Sequence, residues 1–440
     1  MKSFLLRFVQ SALRVMAIAV LKRHRPIVIG ITGSVGKSST KEAIATVLSA
    51  RFRVRQSPGN FNNEIGIPLT IIGSLDTKHS RSRLVLTPFR FLLALLLPRS
   101  RYPEVLVLEL GIDRVGDMDY LLEFLSPTVG VLTTISTSHL EFFKSLTVVS
   151  REKGKLILSL PKQGLAVLNA DEPRVMKFRE KTKATVLSYG FDEAADVRGT
   201  HVAFFRDTVS LPIGSSFKLE YQGKSIPVRL PNIIAEHHIS AALAAAAVGI
   251  FFKMNPLEVA EALRNFQSLP GRMRLFEGVH QSLIVDDTYN SSPKSLLAAL
   301  KTLGNLEGLR RVVALGDMLE LGTDSDRAHR EVATWICNHD IREVFLLGER
   351  MFLAKEELER MNFPLDRLHW FSDPESLGEQ LAASLCEGDL VLLKGSQGMR
   401  LEKAVEMVLR EPSAGRDLLC RQSDEWRNTP FLPSSFSRPT

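Results

Sequence analysis

The sequence predicts an α/β fold: a central P-loop ATPase-type parallel sheet with a small antiparallel β section, followed by a Rossmann-like C-terminal α/β domain. Three observations carry this. Short Val/Ile/Leu runs alternate with helical patterns, as in PIVIGIT, EVLVLEL and TVGVLTTI, and later in LIVDD, RVVALGD, EVFLLG and DLVLLKG. Uninterrupted apolar runs of this length suit strands buried on both faces, hence a parallel sheet covered by helices. Between about Ala184 and Leu230 the texture changes: HVAFFRDTVSLP and SFKLEYQGKSIPVRL, punctuated by Gly and Pro, suit antiparallel hairpins. A break at NFQSLPGRMR then precedes a second α/β alternation.

At 440 residues the chain can hold two or three domains with real cores. Residues 1–25 read as a basic amphipathic helix, 26–270 as a central domain, 271–410 as a C-terminal domain, and 411–440, rich in Pro, Ser and Arg, as a disordered tail. In the first segment Arg7 and Arg14 interrupt the apolar run, and the seven residues between Arg14 and Lys22 are too few to span a bilayer. At helical spacing Ser3, Arg7, Gln10 and Arg14 form a polar stripe opposite Phe4, Leu5, Phe8, Ala12, Val15 and Met16. All its charges are cationic, as in helices that lie in a membrane surface; a helix packed on the protein fits equally well. FRFLLALLLPRSR, Phe89 to Arg101, is also bounded by arginines and could share that face.

The composition excludes several classes. Hydrophobic content of 45% with 24% charged residues is that of an ordinary globular protein. The net charge of +7 is spread out, without the basic stripe and interleaved aromatics of a nucleic-acid binder. Cys337, Cys386 and Cys420 are too few and too scattered for a disulfide framework or a zinc cluster, and read as reduced thiols in a cytosolic chain.

The chemistry is concentrated in VIGITGSVGKSST, Val28 to Thr40. An apolar strand breaks into Gly33, Gly36, Lys37 and Ser38 and then opens a helix. Backbone N–H groups from Gly33 through Ser34 and Val35 to Gly36, with the helix N-terminus, make a cradle for phosphate oxygens. Lys37 would reach the terminal phosphates and the Ser38 hydroxyl would sit on Mg²⁺, between Thr32 before the loop and Ser39 after it. Ile31 stands where the usual spacing has a further glycine. Asp113-Arg114-Val115-Gly116 matches the short D-x-x-G pattern of GTPases, but no Asn-Lys-x-Asp guanine-reading motif occurs. On the loop alone a kinase or an ATP-driven switch stays open.

Several separated stretches, in order, narrow the choice. TGSVGKSSTKE, GNFNNEIGIPLT, LELG, TSHLEFF, REKGKL, LNADE, GRMR, DDTYNSSPKSLLAAL, LGDMLELG and LLKGSQGMRLE resemble the motifs of the Mur ligases, ATP-dependent amide ligases of peptidoglycan precursor synthesis. The resemblance runs from about Pro26 to Arg410, and the family's T-G-x-x-G-K-[ST] loop accounts for Ile31. Tyr289-Asn290-Ser291-Ser292-Pro293, with GNFNNEIG and LGDMLELG, is similar to the members that add D-alanyl-D-alanine to a UDP-muramoyl tripeptide.

The resemblance implies the following roles. Mg²⁺ would be held by Ser38, Glu109, His139 and Lys153, the lysine carbamylated by CO₂ because an ammonium cannot ligate a cation. Lys155, two residues on, leaves the register of that lysine open. ATP would meet Thr32 to Ser39 in the loop, Arg272 in GRMR, Asp287, and Asn290 at the base. Asn60, Asn62 and Asn63 would touch substrate, and KGSQGMRLE would close the C-terminal domain, where the incoming amine is recognised. A monomer is expected, cytoplasmic and in peripheral contact with the inner face of the membrane, binding no nucleic acid. Two departures concern the acceptor. Only about 25 residues precede the first strand, where the family usually has a domain for the uridine diphosphate, and Ala241 replaces the Asn of the family's His-x-x-x-Asn. An amide ligase acting on another acidic acceptor, such as a lipid-linked one, and a non-catalytic membrane-associated nucleotide-binding protein are the alternatives.

Overall fold

The computed structural model describes residues 2–59, 61–74, 80–136, 145–206, 212–306, 310–429 and 431. They fall into two compact units: Met1–Ala203 with Ser216–Pro231 and His237–Gln267, and Phe204–Ser215 with Asn232–Glu236 and Ser268–Thr440.

The first sheet has nine strands: β1 (Ile27–Thr32), β2 (Val54–Gln56), β3 (Val105–Glu109), β4 (Val129–Leu132), β5 (Leu165–Asn169), β6 (Thr185–Gly190), β7 (Val197–Arg206), β8 (Pro212–Tyr221) and β9 (Lys224–Pro231), in the order β2-β3-β1-β4-β5-β6-β7-β8-β9. Pairing is parallel from β2 to β7. β3, β4 and β5 are buried throughout, as their unbroken apolar runs predict. β8 and β9 are neighbours joined by Gln222–Gly223, a two-residue link that only antiparallel strands can use. Both linking residues have positive φ, 48° and 74°, the requirement of a type I′ turn.

The helices of this unit are α1 (Lys2–His24), α2 (Lys37–Ser49), α3 (Gly66–Ile72), α4 (Ser80–Leu96), α5 (Asp117–Leu122) and α6 (Leu146–Leu158), followed by shorter ones and the alanine-rich Glu236–Phe251. The sequence left α1 between two readings, and its described residues pack on the protein. Leu13, Ala17 and Val20 are buried against α3 and α4. Arg14 pairs with Glu123 at 2.6 Å and covers the Tyr120 and Phe124 rings, and Gln10 donates to Glu64 at 3.0 Å. Gln10 and Arg14 of the polar stripe therefore face carboxylates of the protein, while Arg7, Phe8 and Val15 are exposed. No described helix is long and apolar enough to cross a membrane.

The second sheet comprises β10 (Arg274–Glu277), β11 (Leu283–Asp286), β12 (Arg310–Gly316), β13 (Glu343–Leu347), β14 (Leu368–Phe371) and β15 (Asp389–Lys394), ordered β10-β11-β15-β12-β13-β14. β10 is antiparallel to β11 and the other pairs are parallel. Alternate side chains enter two cores. Val313, Leu315, Leu390 and Leu392 join one, and Val312, Ala314, Val391 and Leu393 the other.

The composition predicts disorder from residue 411, and the structure corrects this as far as 429. Short helices Gly415–Leu418 and Asp424–Arg427 form there, Leu419 joins the second core, and Cys420 and Arg421 are buried or nearly so. Arg421 explains the order. Its guanidinium pairs with the buried Glu402 at 2.7 Å and donates to the Thr288 and Tyr289 carbonyls at 2.6 and 2.9 Å. A composition-based reading sees the Pro, Ser and Arg of this stretch and cannot see the buried carboxylate that one of its arginines meets.

Candidate functional site

β1 is the switch point of the first sheet. From β1 the chain continues toward β2 and β3, and from β4 it continues toward β5 on the other side. In open α/β sheets the ligand crevice lies beyond the strand C-termini at such a point. Both loops leaving that point are tied together. Ser34 N donates to Thr134 O at 2.8 Å, Val35 N to Thr134 Oγ1 at 2.9 Å, Thr133 Oγ1 to Val35 O at 2.6 Å, and Ser136 N to Ser34 Oγ at 2.9 Å. Gly33 has φ 152°, and a Cβ there would lie 1.9 Å from Thr133 Oγ1. Gly36, at φ 85°, starts α2, whose N-terminus has no side-chain cap, so its N–H groups point into the cradle. Thr32 Oγ1 donates to Leu110 O at 3.0 Å, joining β1 to the end of β3, while Ser38 is half-buried and Ser39 buried in the first turn of α2.

Two lysines converge on one oxygen. Lys37 Nζ donates to the Gly33 carbonyl at 2.9 Å, and Lys153 Nζ reaches the same carbonyl at 3.0 Å from α6. Burial pushes the Lys153 pKa down to about 7, with the nearby Lys37 charge adding to the effect and Asp113 opposing it. Lys155 points elsewhere. It pairs with Glu152 at 2.5 Å and Asp119 at 2.6 Å, and hydrogen bonds to those carboxylates hold its pKa above the ordinary value against some desolvation. Residues two apart on a helix face opposite sides, and here the side facing the loop belongs to Lys153.

Glu109 ends β3 opposite Ile31 of β1 and is buried. Its Oε1 accepts from Asn62 Nδ2 at 3.2 Å, and its buried Oε2 has no hydrogen-bond partner. A buried carboxylate oxygen without a donor costs free energy that a cation would offset, so Glu109 fits a Mg²⁺ ligand. Among the described residues no group of three His, Cys, Asp or Glu side chains is gathered for a metal. His139 and Asn60 lie outside the described residues. Asn62 is held next to Glu109, its backbone oxygen accepting from Gly111 N at 2.8 Å. Asn63 has a local task, its Oδ1 accepting from Ile65 N and Gly66 N at 3.2 and 2.9 Å where α3 begins.

In the second unit the loops after β11, β15 and β12 meet. Lys394, at the end of β15, pairs with Asp287 at 2.7 Å and donates to Asn290 O at 2.9 Å. Ser396 donates to Ser291 O at 3.2 Å and to Asp317 O at 3.0 Å, and accepts from Leu319 N at 2.8 Å. Asp286, fully buried, accepts from Thr288 and from Gly271 N; burial nevertheless raises its pKa. The Arg272 guanidinium lies over the Tyr289 ring, 4.2 Å from its centroid. Asn290 is exposed.

Sequence reasoning missed the Thr133, Thr134 and Ser136 clamp, although its signal was available: polar residues directly after β4, beside β1. It also missed Asp287 as a partner of Lys394, and Arg421 as the group that holds Thr288 and Tyr289.

Comparison with known proteins gives the following. The Mur ligase middle domain matches residues 31–82 and 87–249, and the Mur ligase glutamate ligase domain matches residues 271–397. The chain is 31% identical to the UDP-N-acetylmuramoyl-tripeptide–D-alanyl-D-alanine ligase of Bacillus subtilis (strain 168), over 91% of this chain and 80% of that protein. Among solved structures it is similar to MurF from Acinetobacter baumannii, with TM-score 0.75 and 25% identity over 90% of this chain and 79% of the other. It is also similar to MurF ligase from Thermotoga maritima in complex with ADP, with TM-score 0.71 and 26% identity over 92% and 84% of the two chains.

Proposed function

The chain belongs to the Mur ligase family, and from that premise we propose that it is the ATP-dependent ligase that joins D-alanyl-D-alanine to a UDP-N-acetylmuramoyl tripeptide. The observation that carries the reading is the meeting of Lys37 and Lys153 at the Gly33 carbonyl, on a phosphate-type loop flanked by the half-satisfied Glu109 carboxylate.

The γ-phosphate of ATP passes to a tripeptide carboxylate, giving an acyl phosphate and ADP. The dipeptide amine then attacks the carbonyl carbon, phosphate leaves with the bonding pair, and the amine proton is lost to give the amide. The Gly33–Gly36 amides and the α2 N-terminus hold phosphate oxygens, and Lys37 exchanges its bond to Gly33 for the terminal phosphate, stabilising charge that develops there. Ser38, Glu109 and Lys153, with His139 by family resemblance, would hold Mg²⁺, which when bound neutralises the repulsion between phosphate and carboxylate oxygens. Lys153 can serve only as a carbamate. Burial and a pKa of about 7 support this, because they leave much of the amine neutral at neutral pH, the form that adds CO₂. Asp287 and Asn290 are assigned to the nucleoside, Arg272 to its phosphates, and Asn62 to orienting Glu109.

The test is release of ADP by the purified chain with Mg²⁺, bicarbonate and UDP-tripeptide, with and without D-alanyl-D-alanine. Release that requires both substrates is expected. ATP turnover indifferent to both would overturn the proposal.

A further inference from the structure

Among the described residues fifteen large hydrophobic side chains are exposed, and seven of them lie on α1 and α4. On α4 they are Leu86, Phe89, Leu92, Leu93 and Leu96, spaced to form one continuous face. Phe91, Ala94 and Leu95 of the same helix turn inward and pack with α1 and the sheet. Phe8 and Val15, each 66% exposed, are on α1, the helix that α4 packs against. An apolar face this concentrated is unusual on a globular surface unless something covers it.

The charge around it indicates what does. Residues 1–25 and 80–101 together contain eleven Lys and Arg and no Asp or Glu. The C-terminal ends of the two helices meet, with Arg99 Nε donating to Arg23 O at 2.9 Å and the His24 ring within 2.8 Å of Ala94 O. That contact gathers Lys22, Arg23, Arg25, Arg99 and Arg101 at one end of the apolar face, all exposed. Arg14, by contrast, is neutralised by Glu123 and turned inward. From residue 86 to residue 97 Arg90 is the sole charged residue, so the face offers a protein partner little to hydrogen-bond.

We infer that the α4 face, supported by α1, seats the protein on an anionic lipid bilayer. The five α4 side chains enter the acyl boundary, and the arginine and lysine cluster meets headgroup phosphates. α1 is a structural support in this arrangement, and α4 is the inserting element.

The full chain is tested by co-sedimentation with vesicles of phosphatidylglycerol mixed into phosphatidylcholine and with phosphatidylcholine alone. Binding to the anionic vesicles, weakened by salt, is expected, with little on neutral ones. Leu92→Glu with Leu96→Glu replaces exposed side chains only. It should lower the affinity by about tenfold or more and leave the melting temperature unchanged. Leu257→Glu, an equally exposed leucine on another helix, should change neither. In a Leu93→Trp variant the emission should shift to the blue on adding anionic vesicles. The inference is overturned if the chain ignores anionic vesicles at low salt, or if the double variant binds them as the parent does. A parent dimer that the double variant dissolves would also overturn it, by assigning the face to a second copy. These readouts need no catalysis, so the ligase proposal can fail while this one stands.

Discussion

Lys153 and Lys155 separate chemistry from scaffolding within one turn of α6. Lys153→Ala removes a buried group beside the loop, and turnover should fall by about a thousandfold. If the side chain works as a carbamate, formate or acetate should restore part of the activity by returning an oxygen donor to the vacated space. Lys153→Arg should resist that rescue, because the guanidinium fills the space and keeps a cation beside the metal. Lys155→Ala removes a partly exposed partner from Asp119 and from the buried Glu152, costs about 2 kcal/mol in stability, and should leave turnover within a few-fold. The reverse ranking, in initial rates of ADP release, would put the reactive lysine at 155. Sequence spacing left this register open, because both lysines fit a helical pattern and only the packing of α6 against the loop distinguishes them. Asn63 shows a related ambiguity: an asparagine before a helix reads the same whether it binds a ligand or its own backbone.

The loop between β1 and α2 was legible because Gly-Lys-Ser after an apolar strand states its conformation in residue types. Its tie to Thr133–Ser136 was not, since two segments about a hundred residues apart become neighbours only through the crossing of β3 to β4. That tie makes Gly33 demanding. Gly33→Ala places a methyl group 1.9 Å from Thr133 Oγ1 at a φ that alanine rarely adopts. A loss of roughly 2–3 kcal/mol in stability is expected, with turnover reduced still further, read by thermal unfolding and ADP release. The helix Ser325–Cys337 offers a pH test. His329 is fully buried, its Nε2 accepting from Met318 N at 3.0 Å and its Nδ1 donating to Ser325 O at 2.7 Å. Burial lowers its pKa below 6.5, while the Ser325 carbonyl and Asp317 oppose that and Arg350 adds to it. The unfolded chain then binds the proton more readily, so stability is full above pH 6.5 and declines as the pH falls toward the folded-state pKa. His329→Gln should lower the melting temperature most at pH above 7, and the gap to the parent should close on acidification. A gap that widens with acid would show that His329 is charged in the fold.

At the scale of the whole molecule, the two α/β units followed from alternation and apolar runs, and the family from an ordered set of short motifs. The amphipathic helix α1 and the residues after 410 were harder, because in both cases a charged side chain finds a buried or distant carboxylate that no local pattern announces. Arg421 holds the loop at Thr288 and Tyr289, so the chain beyond 410 is part of the second unit. Arg421→Met should destabilise it by about 3 kcal/mol, by leaving the buried Glu402 with Arg400 alone, and truncation after residue 410 should cost more. Unchanged unfolding of the truncated chain would return this segment to the status of a tail. The central claim is that this chain transfers phosphate to a peptide carboxylate and then forms an amide. It is tested most directly by following oxygen-18 from a UDP-tripeptide labelled in its carboxylates while D-alanyl-D-alanine is added. An acyl phosphate requires one labelled oxygen in the inorganic phosphate released, one per amide formed, and Lys37→Ala should release none. Phosphate without the label, its fourth oxygen supplied by water, at the same ATP turnover, would contradict the account.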